Sequence, residues 1–135
     1  MLEFSYTIDP TALAKIKQFE GWKIVLEEEL VKAHRKSDIA LKAAAKANMN
    51  WKNPSGKLKS SVKRRVVNPY ASWVGTDLPY ARRRNWGFDG TDSLGRVYHD
   101  KGAFYMDNAL KQKRGEIDAN FTEAVNAALT RLGGI

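Results

Sequence analysis

Apolar positions along the chain follow two periods. From Met1 to Ile8 they alternate loosely, with Leu2, Phe4, Tyr6 and Ile8 set against Glu3, Ser5 and Thr7. A spacing of two predicts a short strand or extended arm over residues 1–9. Asp9-Pro10 reads as a helix start, with Asp as N-cap and Pro in the first turn. From there to about residue 50 the spacing changes to three and four: Leu13, Ile16 and Phe19, then Leu26, Leu30, Ala33, Ala40, Leu41, Ala44 and Ala47. Gly21-Trp22 is the weak point of this helical stretch. A glycine costs about 1 kcal/mol against alanine inside a helix, so a break into two helices is expected there. Glu27, Glu28 and Glu29 precede Lys32, Arg35 and Lys36, which places acid–base pairs at helical contact spacing. Ala43-Ala44-Ala45 combines high helix propensity with little bulk, so another helix or subunit can approach closely.

Asn53-Pro54-Ser55-Gly56 is a turn signal that ends the helix. Residues 51–86 then read as a hairpin and strands. Leu58 to Val67 has strand character, with Leu58, Ser60, Val62, Arg64 and Val66 on one face. Asn68-Pro69 turns the chain, and Tyr70 to Gly75 returns with Tyr70, Ser72 and Val74 alternating against Ala71 and Trp73. Leu78 to Trp86 fits a short strand or a turn of helix equally well. Residues 87–103 hold four glycines among polar residues without a clear period, and read as a long functional loop. The helical period returns over residues 104–132, with Met106, Leu110, Ile117, Phe121, Val125, Ala128 and Leu132, and Gly133-Gly134 stops it. The expected fold is α+β: a long N-terminal helix and a C-terminal helix packed on a small antiparallel β-sheet.

A chain of 135 residues fits a single domain. There is no cysteine, which removes disulfides, thiolate metal sites and cysteine nucleophiles. Neither a basic-then-apolar leader nor a run long enough to span a membrane is visible, so a cytoplasmic, soluble protein is expected. The net charge of +8 is concentrated in one place. Residues 51–84 carry nine Lys or Arg against the single acid Asp77, a net of +8, while the flanking segments nearly cancel. A local positive field of that kind attracts DNA or an acidic protein surface. Lys57, Lys59, Lys63, Arg64 and Arg65 are the candidate DNA-facing residues, and Arg82-Arg83-Arg84 stands between Tyr80 and Trp86.

Few parts for catalysis are present. His34 reads as a solvated helix residue rather than a general base. His99 lies near Asp89, Asp92 and Asp100, but the spacing matches neither a zinc pattern nor a calcium loop. Gly87-Phe88-Asp89-Gly90 lacks the strand-to-helix context of a phosphate loop, and no serine sits on a nucleophile elbow. The expectation is no enzyme, no cofactor and no metal; a hydrolase built on Asp89, Asp92 and His99 is the weakest reading.

Several motifs occur together in a fixed order. Pro54-Ser55-Gly56-Lys57-Leu58-Lys59-Ser60-Ser61-Val62 follows the long helix, then Val74-Gly75-Thr76, Tyr80-Ala81, Asn85-Trp86-Gly87, Asp92-Ser93-Leu94-Gly95-Arg96-Val97-Tyr98 and Tyr105-Met106-Asp107-Asn108-Ala109-Leu110. In this order, over about residues 20–130, the chain resembles the small neck or tail-completion proteins of siphophages, the HK-type minor tail-component family. The motif residues are Pro54, Ser55, Gly56, Leu58, Ser61, Tyr80, Ala81 and Gly87, and Asn85 departs from the pattern, where Glu is common. The resemblance implies a virion protein that joins head to tail as a hexameric ring, assembled in the host cytoplasm, with head-closure and tail-terminator or tail-tube proteins as partners and non-specific contact with DNA in the channel. It implies no membrane and no catalysis. The other reading is a basic nucleic-acid-binding protein acting in regulation or packaging. For assembly, Arg82, Arg83, Arg84, Trp86, Phe88, Leu94, Arg96 and Tyr98 are the candidate contacts, with the loop expected to reach a neighbour.

Overall fold

The computed structural model describes residues 2–5, 8–49 and 56–134. Ten elements follow in order: β1 (Leu2–Ser5), α1 (Pro10–Lys17), α2 (Trp22–Ala47), α3 (Lys57–Ser61), β2 (Lys63–Asn68), β3 (Ala71–Gly75), α4 (Ala81–Trp86), β4 (Gly87–Thr91), β5 (Val97–Lys101) and α5 (Tyr105–Arg131). The fold is α+β. One sheet has the order β1-β3-β2, and β4 and β5 form a separate two-stranded sheet; every pairing is antiparallel. The arm expected over residues 1–9 is thus paired to β3 through Leu2–Ser5.

The helix signals act as the sequence indicates. The Asp9 carboxylate accepts from the Thr11 amide at 3.1 Å, with Pro10 opening α1. The chain breaks between Lys17 and Trp22, and α2 starts after Gly21. Helices α2 and α5 run antiparallel and form the body. Arg131 forks to Glu28 (2.8 Å) and Glu29 (2.9 Å), Asn120 donates to Ser37 (3.2 Å), and Asn48 donates to Gln112 (3.2 Å). Burial works against the charge of Glu29, but hydrogen bonds from Arg131 and Lys32 hold its carboxyl below the usual range. One apolar cluster joins α1, the first half of α2 and the second half of α5 around Ile16, Leu26, Leu30 and Phe121. A second joins the end of α2 to α3, β3, α4 and the start of α5 around Leu41, Leu58, Val62, Val74 and Tyr105. Ala44 and Ala45 are buried in it, which is the close approach their size permits.

Two expectations need correction, and one open reading is settled. Leu58 to Val67 is not one strand: Lys57–Ser61 forms a helical turn and only Lys63–Asn68 is extended. Leu58 and Val62 are both buried at a spacing of four, and the hydroxyls of Ser60 and Ser61 donate back to the carbonyls of Gly56 and Leu58, each at 2.7 Å. Within Leu78 to Trp86, read as either a short strand or a turn of helix, Ala81–Trp86 forms the short helix α4. Residues 87–103 are a hairpin rather than a loop, with Gly87 opposite Lys101 and Thr91 opposite Val97. The expected turn over residues 53–56 lies outside the described residues except for Gly56, and so do the motif residues Pro54 and Ser55.

Candidate functional site

A joint at the base of the β4–β5 hairpin gathers motifs that are far apart in sequence. Asn85, fully buried at the end of α4, donates through Nδ2 to the Asp107 carboxylate at 2.9 Å and accepts from the Met106 amide at 3.0 Å. Its own carbonyl accepts from the Phe104 amide at 2.8 Å, and the Arg84 carbonyl accepts from Ala103 at 2.8 Å. The Tyr105 hydroxyl donates to the Ala81 carbonyl at 2.9 Å, and burial pushes its pKa up to about 12. The backbones cross so closely that Gly102 has no room for a side chain: a Cβ there would stand 2.5 Å from the Asn85 carbonyl oxygen. Gly87 has a φ of +85°, and a Cβ on it would collide with the Asp100 carbonyl. Nearby, Ser61 and Thr76 share a hydroxyl hydrogen bond at 2.6 Å and tie the end of α3 to the end of β3.

From this joint the hairpin projects with a closed, ordered tip. The Asp92 carboxylate accepts from the amides of Leu94 and Arg96 (2.9 Å each), from Arg96 Nε (2.6 Å) and from the Tyr98 hydroxyl (3.1 Å). Burial opposes its charge, yet these four donors hold its carboxyl below the usual range. The tip holds Leu94 in water at 75% exposure, and Val97 beside it is 65% exposed. Phe88 and Tyr98 lie together on one face of the hairpin, with the Arg83 guanidinium 3.6 Å from the Phe88 ring centre and 5.4 Å from that of Tyr98. Both rings therefore pack against Arg83 of their own subunit, while of the aromatic and apolar residues expected to reach a neighbour Leu94 and Trp86 stay exposed. Arg96 is engaged with Asp92. Arg84 lines a cleft with Tyr80, Asp100 and Lys101. Asp89 and His99 meet as an exposed cross-strand pair, but Asp92 is committed to the tip, so the three are not gathered into a site. Among the described residues no group of three His, Asp or Glu is placed to hold a metal ion.

The basic segment is divided between two faces. Alternation along β2 and β3 turns Ser72 and Val74 inward, buried against α2, and turns Lys63, Arg65 and Trp73 outward. Lys63 is ion-paired to Asp77, and Arg65 lies over Trp73 at 5.7 Å. From α4, Arg82 lies over Trp86 at 5.4 Å. Lys57 and Lys59 are exposed on α3. Arg64 does not join the outward set. Its register opposite Val74 turns it to the inner face, where it acts on the buried Asp38.

His34 is also inside, against expectation. Its Nδ1 lies 2.5 Å from the Ser72 hydroxyl, its ring meets Phe121 edge-on at 4.7 Å, and the Pro69 carbonyl accepts a hydrogen bond from it. Burial pushes its imidazole below the usual value, opposed by that Pro69 bond. Asp38, one turn along α2, is fully buried as well, and among the described residues neither of its oxygens accepts a well-formed hydrogen bond. Burial pushes its pKa up to about 6, against the pull of Ser72 and Arg64. A signal was present: positions 30, 34, 37, 38 and 41 share one helical stripe, which the polarity of three of them conceals. Comparison with protein-family models, with curated proteins and with solved structures finds no match.

Proposed function

We propose that this chain is a structural component of a tailed-bacteriophage virion, a neck or tail-completion protein that forms a ring, expected to be hexameric, and joins head to tail. The observation that carries the reading is the hairpin: clamped at its base by Asn85, closed at its tip by Asp92, and presenting Leu94 and Val97 to solvent. A rigid projection that spends an apolar residue on water is suited to meet a partner surface. Head-to-tail contact between unlike faces of one protein closes a ring, and a basic sheet face and an acid-bearing helix pair are unlike faces. The order of the sequence motifs supplies the rest of the support. No helix of the described residues is long and apolar enough to cross a membrane. Head-closure and tail-terminator or tail-tube proteins are the partners proposed, with the virion as destination after assembly in the host cytoplasm. Quantitative mass spectrometry of purified virions and tails tests this. A stoichiometric copy number supports it, and absence from both overturns it.

The alternative, a basic nucleic-acid-binding protein acting in regulation or packaging, is favoured by the +8 carried on residues 51–84. A sequence-specific foothold on DNA would distinguish it from contact made in a channel.

A further inference from the structure

The outer face of the three-stranded sheet and the adjoining edge of α4 carry two arginine–tryptophan pairs side by side. The Arg65 guanidinium lies 5.7 Å from the Trp73 ring centre and that of Arg82 5.4 Å from the Trp86 ring centre, and Trp73, Asp77, Arg82 and Trp86 line one cleft of about 510 Å³. The carboxylate in that cleft, Asp77, is taken by Lys63, and its carboxyl is held below the usual range by that partner's hydrogen bond and charge. Among the described residues neither Arg65 nor Arg82 forms an ion pair. A guanidinium held near an indole by cation–π attraction has none of its N–H donors taken by the ring. It is also less strongly hydrated than an ammonium, so an anion can displace its water cheaply. Trp86 is 46% exposed beside such a cation, a large apolar plane left at the surface. Planar cations beside exposed aromatic planes match a ligand with regularly spaced phosphates and flat bases. They match an acidic protein segment less well, because carboxylates alone give the indoles nothing to stack on.

We propose that this face binds nucleic acid through its phosphodiester backbone, without regard to sequence, with Arg65 and Arg82 as the phosphate contacts and Trp73 and Trp86 as the apolar floor. Binding needs one copy of the chain in solution and no ring, so its failure and the failure of the assembly reading are separable. The test titrates the full-length protein with a fluorescein-labelled mixed-sequence oligonucleotide, single-stranded and as a duplex, over a range of salt. Affinity should fall linearly in log–log form with salt for at least one of the two probes, and tryptophan emission should change at saturation. Arg65→Gln with Arg82→Gln should reduce the salt slope by about two and weaken low-salt binding about tenfold or more. Arg65→Lys with Arg82→Lys should restore most of the slope, which a merely unfolded variant could not do. Arg114→Gln, on the exposed side of α5, should change neither measure. No binding by the folded wild type, a slope unchanged in the double glutamine variant, or silent tryptophan emission at saturation would overturn the proposal. So would binding of polyglutamate in preference to either oligonucleotide, which would assign the face to an acidic protein partner.

Discussion

Asn85 decides how the hairpin is held. Its side chain is both donor and acceptor, and it uses both capacities, one on Asp107 and one on the Met106 amide. A glutamate at this position, which the sequence resemblance would lead one to expect, would bring a second carboxylate against Asp107 in a buried site. The amide is the residue type that fits beside an acid there. Asn85→Glu should therefore destabilise the fold by about 3–5 kcal/mol, the cost of an unpaired buried charge. Asp107→Asn alone should cost about 1 kcal/mol, one hydrogen bond weakened rather than lost. Combined, the two substitutions should recover part of the loss, because the glutamate then faces a donor. Urea unfolding of the wild type, both single variants and the double variant measures the coupling. Simple additivity would show that Asn85 and Asp107 do not act together.

Between elements, the least comfortable contact is α2 against the inner face of β2 and β3, where His34, Asp38 and Ser72 are buried together. Asp38 is raised from 3.8 to about 6 in the fold, so the folded state prefers it protonated. Its contribution is fully present below the unfolded value and is lost as the pH rises through about 6. His34 is depressed, so its contribution is present above its unfolded value of 6.5 and is lost as the pH falls below it. The two contributions run in opposite directions with pH, so between the unfolded values of 3.8 and 6.5 neither is fully present. Asp38→Asn should then raise stability at pH 7–8 by roughly 1–3 kcal/mol and change little near pH 4. Thermal melts of both proteins across that range check the sign, and a benefit largest at pH 4 would refute it. Such a joint is hard to read from sequence, because three polar residues on an apolar stripe look solvated until the sheet covers them. The long helices were legible, since their period runs over many residues and Asp9-Pro10 and Gly133 mark the ends. The hairpin of residues 87–101 was not, because glycine and aspartate have low strand propensity, and its order comes from hydrogen bonds at the joint and tip rather than from alternation. Of the basic residues expected to face DNA, strand alternation separates Arg64 from Lys63 and Arg65 once the strand is known to begin at Lys63. Trp73 was missed as their partner because nothing in the sequence pairs it with Arg65.

At the scale of the whole molecule, the question is what the hairpin is for. A two-stranded sheet has little stability of its own, and this one is held at its base by Asn85 and Gly102, with Phe88 and Tyr98 capped by Arg83. Those two aromatics therefore belong to the subunit, and substituting Tyr98 would also remove a donor from Asp92 at the tip. Leu94 and Val97 are different, because the subunit's own fold gains little from either. Burying Leu94 against a neighbour would contribute roughly 1.5–3 kcal/mol, and Val97 a similar amount. Repeated at every contact around a ring, that is enough to bias assembly strongly while leaving a single contact weak. Leu94→Ser with Val97→Ser should melt within a degree or two of the wild type, since exposed substitutions change stability by about 0.5 kcal/mol or less. On the proposed role in head–tail joining, the same variant should yield few joined particles when it complements a phage lacking the wild-type protein, with free heads and free tails counted by electron microscopy. Asp92→Ala provides the companion test. It leaves Leu94 and Val97 in place but removes the carboxylate that closes the tip, so it should weaken joining by a smaller margin, through loss of preorganisation rather than loss of contact. A double serine variant that arrives unfolded would place Leu94 and Val97 in the core of the subunit, and one that gives a full yield of virions would remove the hairpin from the assembly surface.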